Sequence, residues 1–279
     1  MSSPAKSNFV PKMRLDQVLV ERGLAGGRGE AQRLIVDGRV RSGDRLLNRP
    51  GLAVPTDLPL AVEQPPTSYV GRGGFKLAAA LDRFPVRVAG VTALDTGAST
   101  GGFTDVLLRR GAARVYAIDV GYGQLAWELR NDPRVVVMER TNIRYLGELP
   151  EQPALATIDV SFISLDLVLP AVRRLLTPHG QAICLIKPQF EAGRRQVGKG
   201  GVVRDPETHA MVLRRVLRRA RDDGWRVGGL MCSPITGPAG NREFLAWLHH
   251  EAAPDDDDLE RTIMGVLNGR PAPVADQPV

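Results

Sequence analysis

Asp95-Thr96-Gly97-Ala98-Ser99-Thr100-Gly101-Gly102-Phe103-Thr104 decides the fold of this 279-residue chain. The apolar run before it, Val91-Thr92-Ala93-Leu94, reads as a buried strand. Asp105-Val106-Leu107-Leu108-Arg109-Arg110-Gly111 after it reads as a helix with a glycine stop. Glycines at a strand-to-helix turn let the backbone approach a ligand closely. About twenty residues further on, Val115-Tyr116-Ala117-Ile118-Asp119 reads as a second strand that ends in a carboxylate placed to hold a ribose diol. The glycine spacing is not G-x-G-x-x-G, so a dinucleotide-binding turn fits less well.

Outward from this turn, strands are expected near 91–95, 115–120, 135–139, 154–160, 181–187 and 225–235. Helices are expected near 75–84, 101–110, 123–130, 164–176 and 206–222, with a strand or mixed segment over 241–250. The alternation implies an α/β fold, a doubly wound and mostly parallel sheet with helices on both faces. Ligands of such sheets bind beyond the carboxyl ends of the strands. A long glycine-rich loop, Gln189 to Val203, follows one such end at Lys187. Upstream, Leu15, Val18 and Leu19, then Ala31, Leu34 and Ile35, have helical spacing, and short strands follow around Ser42-Gly43-Asp44. The expected organisation is a loose leader over 1–13, a small α+β unit over 14–63, a linker over 64–70, the α/β domain over 71–251 and an acidic, Pro-rich, disordered tail over 252–279.

The composition, 43% hydrophobic and 24% charged, is that of an ordinary globular protein. No apolar run approaches the ~18–20 residues that span a bilayer, and Met1 to Lys12 lacks the apolar core of a signal peptide. Cys184 and Cys232 stand far apart in apolar runs, as buried thiols in a reducing compartment would. A cytoplasmic protein, monomeric as a working expectation and without a metal site, follows. The net charge of +6 hides an asymmetry: residues 252–279 carry −4, so residues 1–251 carry +10, which suits a polyanionic partner.

The turn D-x-G-x-x-x-G-G-F-T resembles the S-adenosylmethionine (SAM) turn of methyltransferases. The resemblance implies SAM as cofactor, with Asp95, Gly97, Ser99, Thr100, Gly101, Gly102 and Phe103 around it and Asp119 on its ribose. Asn142, at the end of the third strand, is placed to contact the adenine or its ribose, or to cap a loop. At the other end of the chain, Arg14-Leu15-Asp16-Gln17-Val18-Leu19, Arg28, Ala31-Gln32-Arg33-Leu34-Ile35 and Gly38-Arg39-Val40 resemble the alpha-L RNA-binding motif of the ribosomal S-four type. Gly27 stands where serine is common before the arginine, and Arg41-Ser42-Gly43 where Val-Asn-Gly is common. The basic residues crowded there, Lys12, Arg14, Arg28, Arg33, Arg39 and Arg41, suit phosphate contacts to RNA. Arg72, Arg195 and Lys199 are further candidates, and a solvated surface is the alternative for any single one.

Four more residues fall at strand ends or their approaches: Lys76 in Gly73-Gly74-Phe75-Lys76, Asp159 in Ile158-Asp159-Val160-Ser161-Phe162, Lys187 in Ile186-Lys187-Pro188-Gln189-Phe190-Glu191, and Glu243 in Gly240-Asn241-Arg242-Glu243-Phe244. Singly, each also fits a helix cap or a surface charge. Together they resemble the Lys-Asp-Lys-Glu set of 2′-O-ribose methyltransferases of the FtsJ type. With the N-terminal unit, residues 14 to about 250 resemble the TlyA family, also labelled hemolysin A. That resemblance implies a Rossmann-like SAM-dependent methyltransferase domain, bacterial ribosomal RNA and ribosomal subunits as partners, and 2′-O-methylation of cytidine. It also implies a role for each of the four: Lys187 as base, Asp159 between cofactor and substrate, and Lys76 with Glu243 fixing the ribose.

Other readings fit less well. Exocyclic-amino methyltransferases place Asp/Asn-Pro-Pro-Tyr/Phe where this chain has Asp159-Val160-Ser161-Phe162, without the prolines. Carbon-5 methylation needs a cysteine nucleophile, and neither cysteine ends its strand in a suitable loop. A non-enzymatic ribosome-assembly factor would not need the four residues intact. A pore-forming hemolysin has no spanning segment to work with here. The pairs Arg214-Arg215 and Arg218-Arg219 suit an anionic membrane less well than a solvated helix face.

Overall fold

The computed structural model divides the chain into two units, Met1–Ser68 and Tyr69–Val279. It describes residues 11–36, 38–62, 69–193, 195–249 and 256–269. In the first unit, β1 (Lys12–Arg14), α1 (Leu15–Glu21), α2 (Arg28–Val36), β2 (Val40–Ser42), β3 (Arg45–Leu46), β4 (Ala53–Pro55) and β5 (Ala61–Val62) follow in order. β1 pairs with β4, and β3, β2 and β5 form a small antiparallel sheet. The helical spacing read from the sequence becomes one face of α1 and α2: Leu15, Val18, Leu19, Ala31 and Ile35 are buried with Val40, Leu47 and Val54.

The second unit holds α3 (Gly73–Arg83), β6 (Thr92–Thr96), α4 (Gly102–Arg109), β7 (Arg114–Ile118), α5 (Trp127–Arg130), β8 (Val135–Met138), a 3-10 turn (Ile143–Tyr145), β9 (Leu155–Ile158), α6 (Leu165–Leu175), β10 (Gln181–Ile186), α7 (Pro188–Glu191), α8 (Pro206–Asp222), β11 (Arg226–Cys232), β12 (Phe244–His249) and α9 (Asp256–Leu267). The seven-stranded sheet runs β11-β12-β10-β9-β6-β7-β8. β6, β7, β8, β9 and β10 are parallel neighbours. The central strands β6 and β9 are buried along their whole length, as strands covered on both faces must be. The segment left open between strand and mixed structure is a full strand, β12, antiparallel to both β10 and β11.

Two cores flank the sheet. One joins Leu94, Tyr116, Ile158, Cys184 and Phe244 to α6, α8 and α9, and the other joins Ala93, Val115, Ile183 and Leu245 to α3 and α4. Helix starts are set locally. Ser164 caps α6 by accepting from the Asp166 amide, and Asp205 caps α8 from the Glu207 and Thr208 amides with Pro206 behind it. Expected helix 123–130 is shorter than the sequence pattern implied, reduced to Trp127–Arg130.

The tail reading needs correction. Asp256–Leu267 is helical, and Leu259, Ile263 and Val266 are buried against α8 and β11. Arg214 and Glu260 join α8 to α9 as an ion pair. The aspartate run hid an amphipathic pattern that begins just after it. Residues 252–255 and 270–279 lie outside the described residues.

Ile263→Ala is expected to cost about 2–5 kcal/mol, the range for emptying a buried isoleucine site. Thermal or urea unfolding checks it; a silent substitution would mean that this helix does not pack on the domain.

Candidate active site

Strand register brings the site together. Thr96 lies level with Ile118 of β7 and Ile158 of β9, so the residues that follow, Gly97, Asp119 and Asp159, leave the sheet in one row. Ile186 of β10 pairs with Phe244 of β12, so Lys187 leaves the sheet beside the point where Glu243 enters it. Gly97 has φ +84, and a Cβ there would lie 2.5 Å from the Asp159 carbonyl oxygen. Only glycine fits this approach.

A cleft of about 450 Å³ opens along this row, lined by Gly97, Ser99, Asp119, Asn142 and Asp159 and by an apolar wall that includes Ile118, Ile143 and Val168. Its size is that of a small-molecule site. Asp119 accepts from the Ser99 amide at 2.8 Å and the Gly121 amide at 2.7 Å, which fixes the carboxylate and leaves lone pairs for a diol. Asn142 caps the 3-10 turn by accepting from the Arg144 amide, and it also lines the cleft. Thr96, which the sequence reading passed over, lines the cleft with a buried hydroxyl that makes no hydrogen bond among the described residues. A buried polar atom without a partner is costly and fits a site shaped for a polar ligand.

The turn residues divide into two groups. Gly97 and Ser99 face the cleft; Asp95, Thr100, Gly101, Gly102 and Phe103 are not among its lining. Asp95 is fully buried and accepts from Thr104 at 2.6 Å and Thr157 at 3.0 Å, so it ties β6 to α4 and β9. Alternation along the strand aims it away from the cleft. Phe103 packs in the core with α3 and α4. Gly101 has φ +98 and Gly102 passes close to the backbone of Gly71 and Gly74, so both shape the start of α4.

The four charged residues form two pairs. Lys76 Nζ lies 2.5 Å from Glu243 Oε2, with both side chains nearly closed to solvent. Lys187 Nζ lies 2.6 Å from Asp159 Oδ1 and donates to Ser161 Oγ at 2.9 Å. Gln189 donates to the other oxygen of Glu243 at 2.9 Å. Phe162, exposed at the mouth with φ 62, packs on Phe190. Ser161, Gln189 and Phe162 were quoted only as neighbours of the expected residues, and no periodicity marks them.

The expected RNA contacts are spread over both units. Lys12 is exposed, and Arg39 and Arg41 are half-buried. Arg14 and Arg28 converge on the buried carboxylate of Asp16, which Gln32 also contacts, and Arg14 above all holds that carboxyl well below the usual range. The Arg33 side chain lies outside the described residues. In the second unit, exposed Arg72 donates to the Thr236 carbonyl, Arg195 and Lys199 are exposed, and Lys199 lies in the turn closed by the Gly198–Val202 bridge.

Comparison with known proteins gives the following. The FtsJ-like methyltransferase model matches residues 69–250, and the S4 domain model matches residues 13–57. YqxC of Bacillus subtilis is 54% identical over 85% of this chain and 86% of its own. The 16S/23S rRNA (cytidine-2′-O)-methyltransferase TlyA of Mycobacterium tuberculosis is 50% identical over 85% of this chain and 90% of its own. A solved Streptococcus thermophilus protein, provisionally named a hemolysin, superposes with a TM-score of 0.73 at 42% identity, over 93% of this chain and 97% of that one.

Burial pushes the Asp95 carboxyl up to about 7, against the lowering effect of the two threonine hydroxyls. The unfolded chain releases this proton near pH 4 and the folded one near 7, so the folded state binds more protons in between. Stability is therefore full below about pH 4 and falls as pH rises through 7, by a few kcal/mol in order of magnitude. Asp95→Asn should flatten that decline in urea denaturation from pH 5 to 8; an unchanged slope would remove Asp95 as its source.

Proposed function

The chain belongs to the FtsJ-like methyltransferase family, and to its TlyA group, and on that premise we propose that it transfers a methyl group from SAM to the 2′-oxygen of a cytidine in ribosomal RNA. One observation carries the reading: two lysine–carboxylate pairs, Lys76–Glu243 and Lys187–Asp159, meet at the strand edge beside a cleft that suits a nucleoside. When bound, SAM supplies an electrophilic methyl group on its sulfonium.

This chain's residues do the rest. Asp119 would hold the ribose hydroxyls of the cofactor, and Asn142 and Ile143, which line the same cleft, would hold its base. Asp159, which lies both on the cleft and against Lys187, is the link between the cofactor and the substrate. Lys187, as the neutral amine left once its ammonium has given a proton to solvent, receives the proton of the ribose 2′-hydroxyl, while its remaining N–H groups stay directed at Asp159 and Ser161. Lys76 and Glu243, locked together and braced by Gln189, fix the ribose. A positioned base contributes about 10²–10⁴-fold. Orientation of hydroxyl and methyl in one site contributes as much or more. The N-terminal unit supplies phosphate contacts through exposed basic residues, which strengthens binding without reading base sequence.

Lys187→Ala is expected to lower methyl transfer by about 10²–10⁴-fold, the share of a general base, while SAM and rRNA still bind. Nucleoside mass spectrometry of treated rRNA should show 2′-O-methylcytidine, at a position resistant to alkaline cleavage. A methyl group on the base, or near-normal single-turnover rates in the variant, would overturn the mechanism. For recognition, Lys12→Ala and Arg39→Ala should each reduce the slope of log affinity against log salt by about one. Slopes equal to wild type would remove these side chains from the interface.

A further inference from the structure

Glu191 belongs to neither lysine pair, yet it touches the segments that carry one of them. Its side chain is 2% exposed. Oε1 accepts from the Leu165 amide at 2.8 Å, and Oε2 accepts from Ser164 Oγ at 2.8 Å and from Arg215 Nη2 at 2.6 Å. Arg215 also donates to the Glu191 carbonyl at 2.9 Å and to Asp166 at 3.3 Å. Ser164 and Leu165 begin α6, at the end of the loop that leaves β9 at Asp159. Glu191 itself closes α7, the short helix that Lys187 begins. One buried carboxylate thus straps the Asp159 segment to the Lys187 segment.

The strapped loop would not hold this shape by itself. Phe162, in its middle, has φ 62, a left-handed conformation that a bulky side chain rarely adopts and that persists only where the surroundings impose it. The residue is 90% exposed, and its ring lies 4.7 Å, centroid to centroid, from that of Phe190, next to Glu191. The constraint comes from its neighbours in the loop: Ser161 is held by Lys187, Val160 and Ile163 pack on the core, and the strap fixes the far end at Ser164 and Leu165. Arg215 supplies the charge without which a carboxylate buried at this depth would be costly. The sequence reading placed Arg215 on a solvated face; its guanidinium instead joins α8 to this strap.

We propose that Glu191 is a positioning residue for methyl transfer: by holding the start of α6 against α7 it keeps Asp159 and Lys187 paired at the reacting centre. The proposal rests on the reading of Lys187 and Asp159 given above. Glu191 acts through them and does not meet the substrate.

The test uses the full chain, with rates of rRNA methylation divided by the number of SAM-binding sites counted by calorimetry. Glu191→Ala should lower kcat by about 10²-fold, the loss that follows a misplacement of roughly 1 Å, while KM for rRNA and Kd for SAM hold. Glu191→Gln keeps an acceptor for the Leu165 amide and should recover part of the rate; it also serves if the alanine variant does not fold. Arg215→Met should lower kcat less, and should add nothing to Glu191→Ala, because the two share one strap. Arg214→Met, whose partner is Glu260 on α9, should leave kcat unchanged. A Glu191 that serves only the fold would reduce the melting temperature and the number of binding sites but leave kcat per site at the wild-type value, and that result overturns the proposal. A wild-type chain that forms no 2′-O-methyl product overturns the functional reading with it; an active wild type beside a Glu191→Ala variant of undiminished kcat overturns the strap alone.

Discussion

The absence of a side chain at Gly97 is the constraint on which the site depends. A Cβ there would stand 2.5 Å from the Asp159 carbonyl, so β6 can turn tightly across the end of β9 only with glycine in that place. The turn then delivers the Ser99 amide to Asp119, and Asp119 becomes a fixed acceptor at the rim of the cleft. The same close approach leaves Asp159 with its carboxylate toward Lys187 and its backbone under Gly97. The cleft and the Lys187 pair are thereby joined through one residue.

Charge is used differently in the two units. In the small N-terminal unit, Asp16 is buried beneath Arg14, Arg28 and Gln32 and gathers positive side chains that would otherwise repel. Both arginines remain about half exposed and open to phosphate. In the larger unit two carboxylates are buried and each meets a cation, Glu243 with buried Lys76 and Glu191 with half-exposed Arg215. Removing one partner of such a pair leaves an uncompensated buried charge, so each pair behaves as a unit.

The turn, the sheet and the residues at strand ends were legible because their signals are local. A continuous apolar run, a glycine at a forced turn and a polar residue closing the run all appear within a short window. Asp95 and Phe103 are buried for a related reason: the motif says that a residue is near the turn, and strand alternation and core packing decide which way it faces. Glu191, Gln189 and Thr96 were passed over because their partners, Leu165, Glu243 and the cleft itself, are distant in sequence and meet them only through the sheet. The last helix had its apolar residues at helical spacing, at 259, 263 and 266, but four aspartates in a row directed attention to solvation.

β12 runs against its neighbours and lies between β10 and β11, although it follows both in the chain. Because it is antiparallel, its first residues stand at the edge where the parallel strands end, and Glu243 arrives there from the opposite direction. The strand that completes the charged set is therefore the last to be made on the ribosome. The two strands it joins, β10 and β11, have no pairing with each other and are held in one sheet through β12. Lys76, near the start of the larger unit, thus takes its partner from the loop that leads into the last strand.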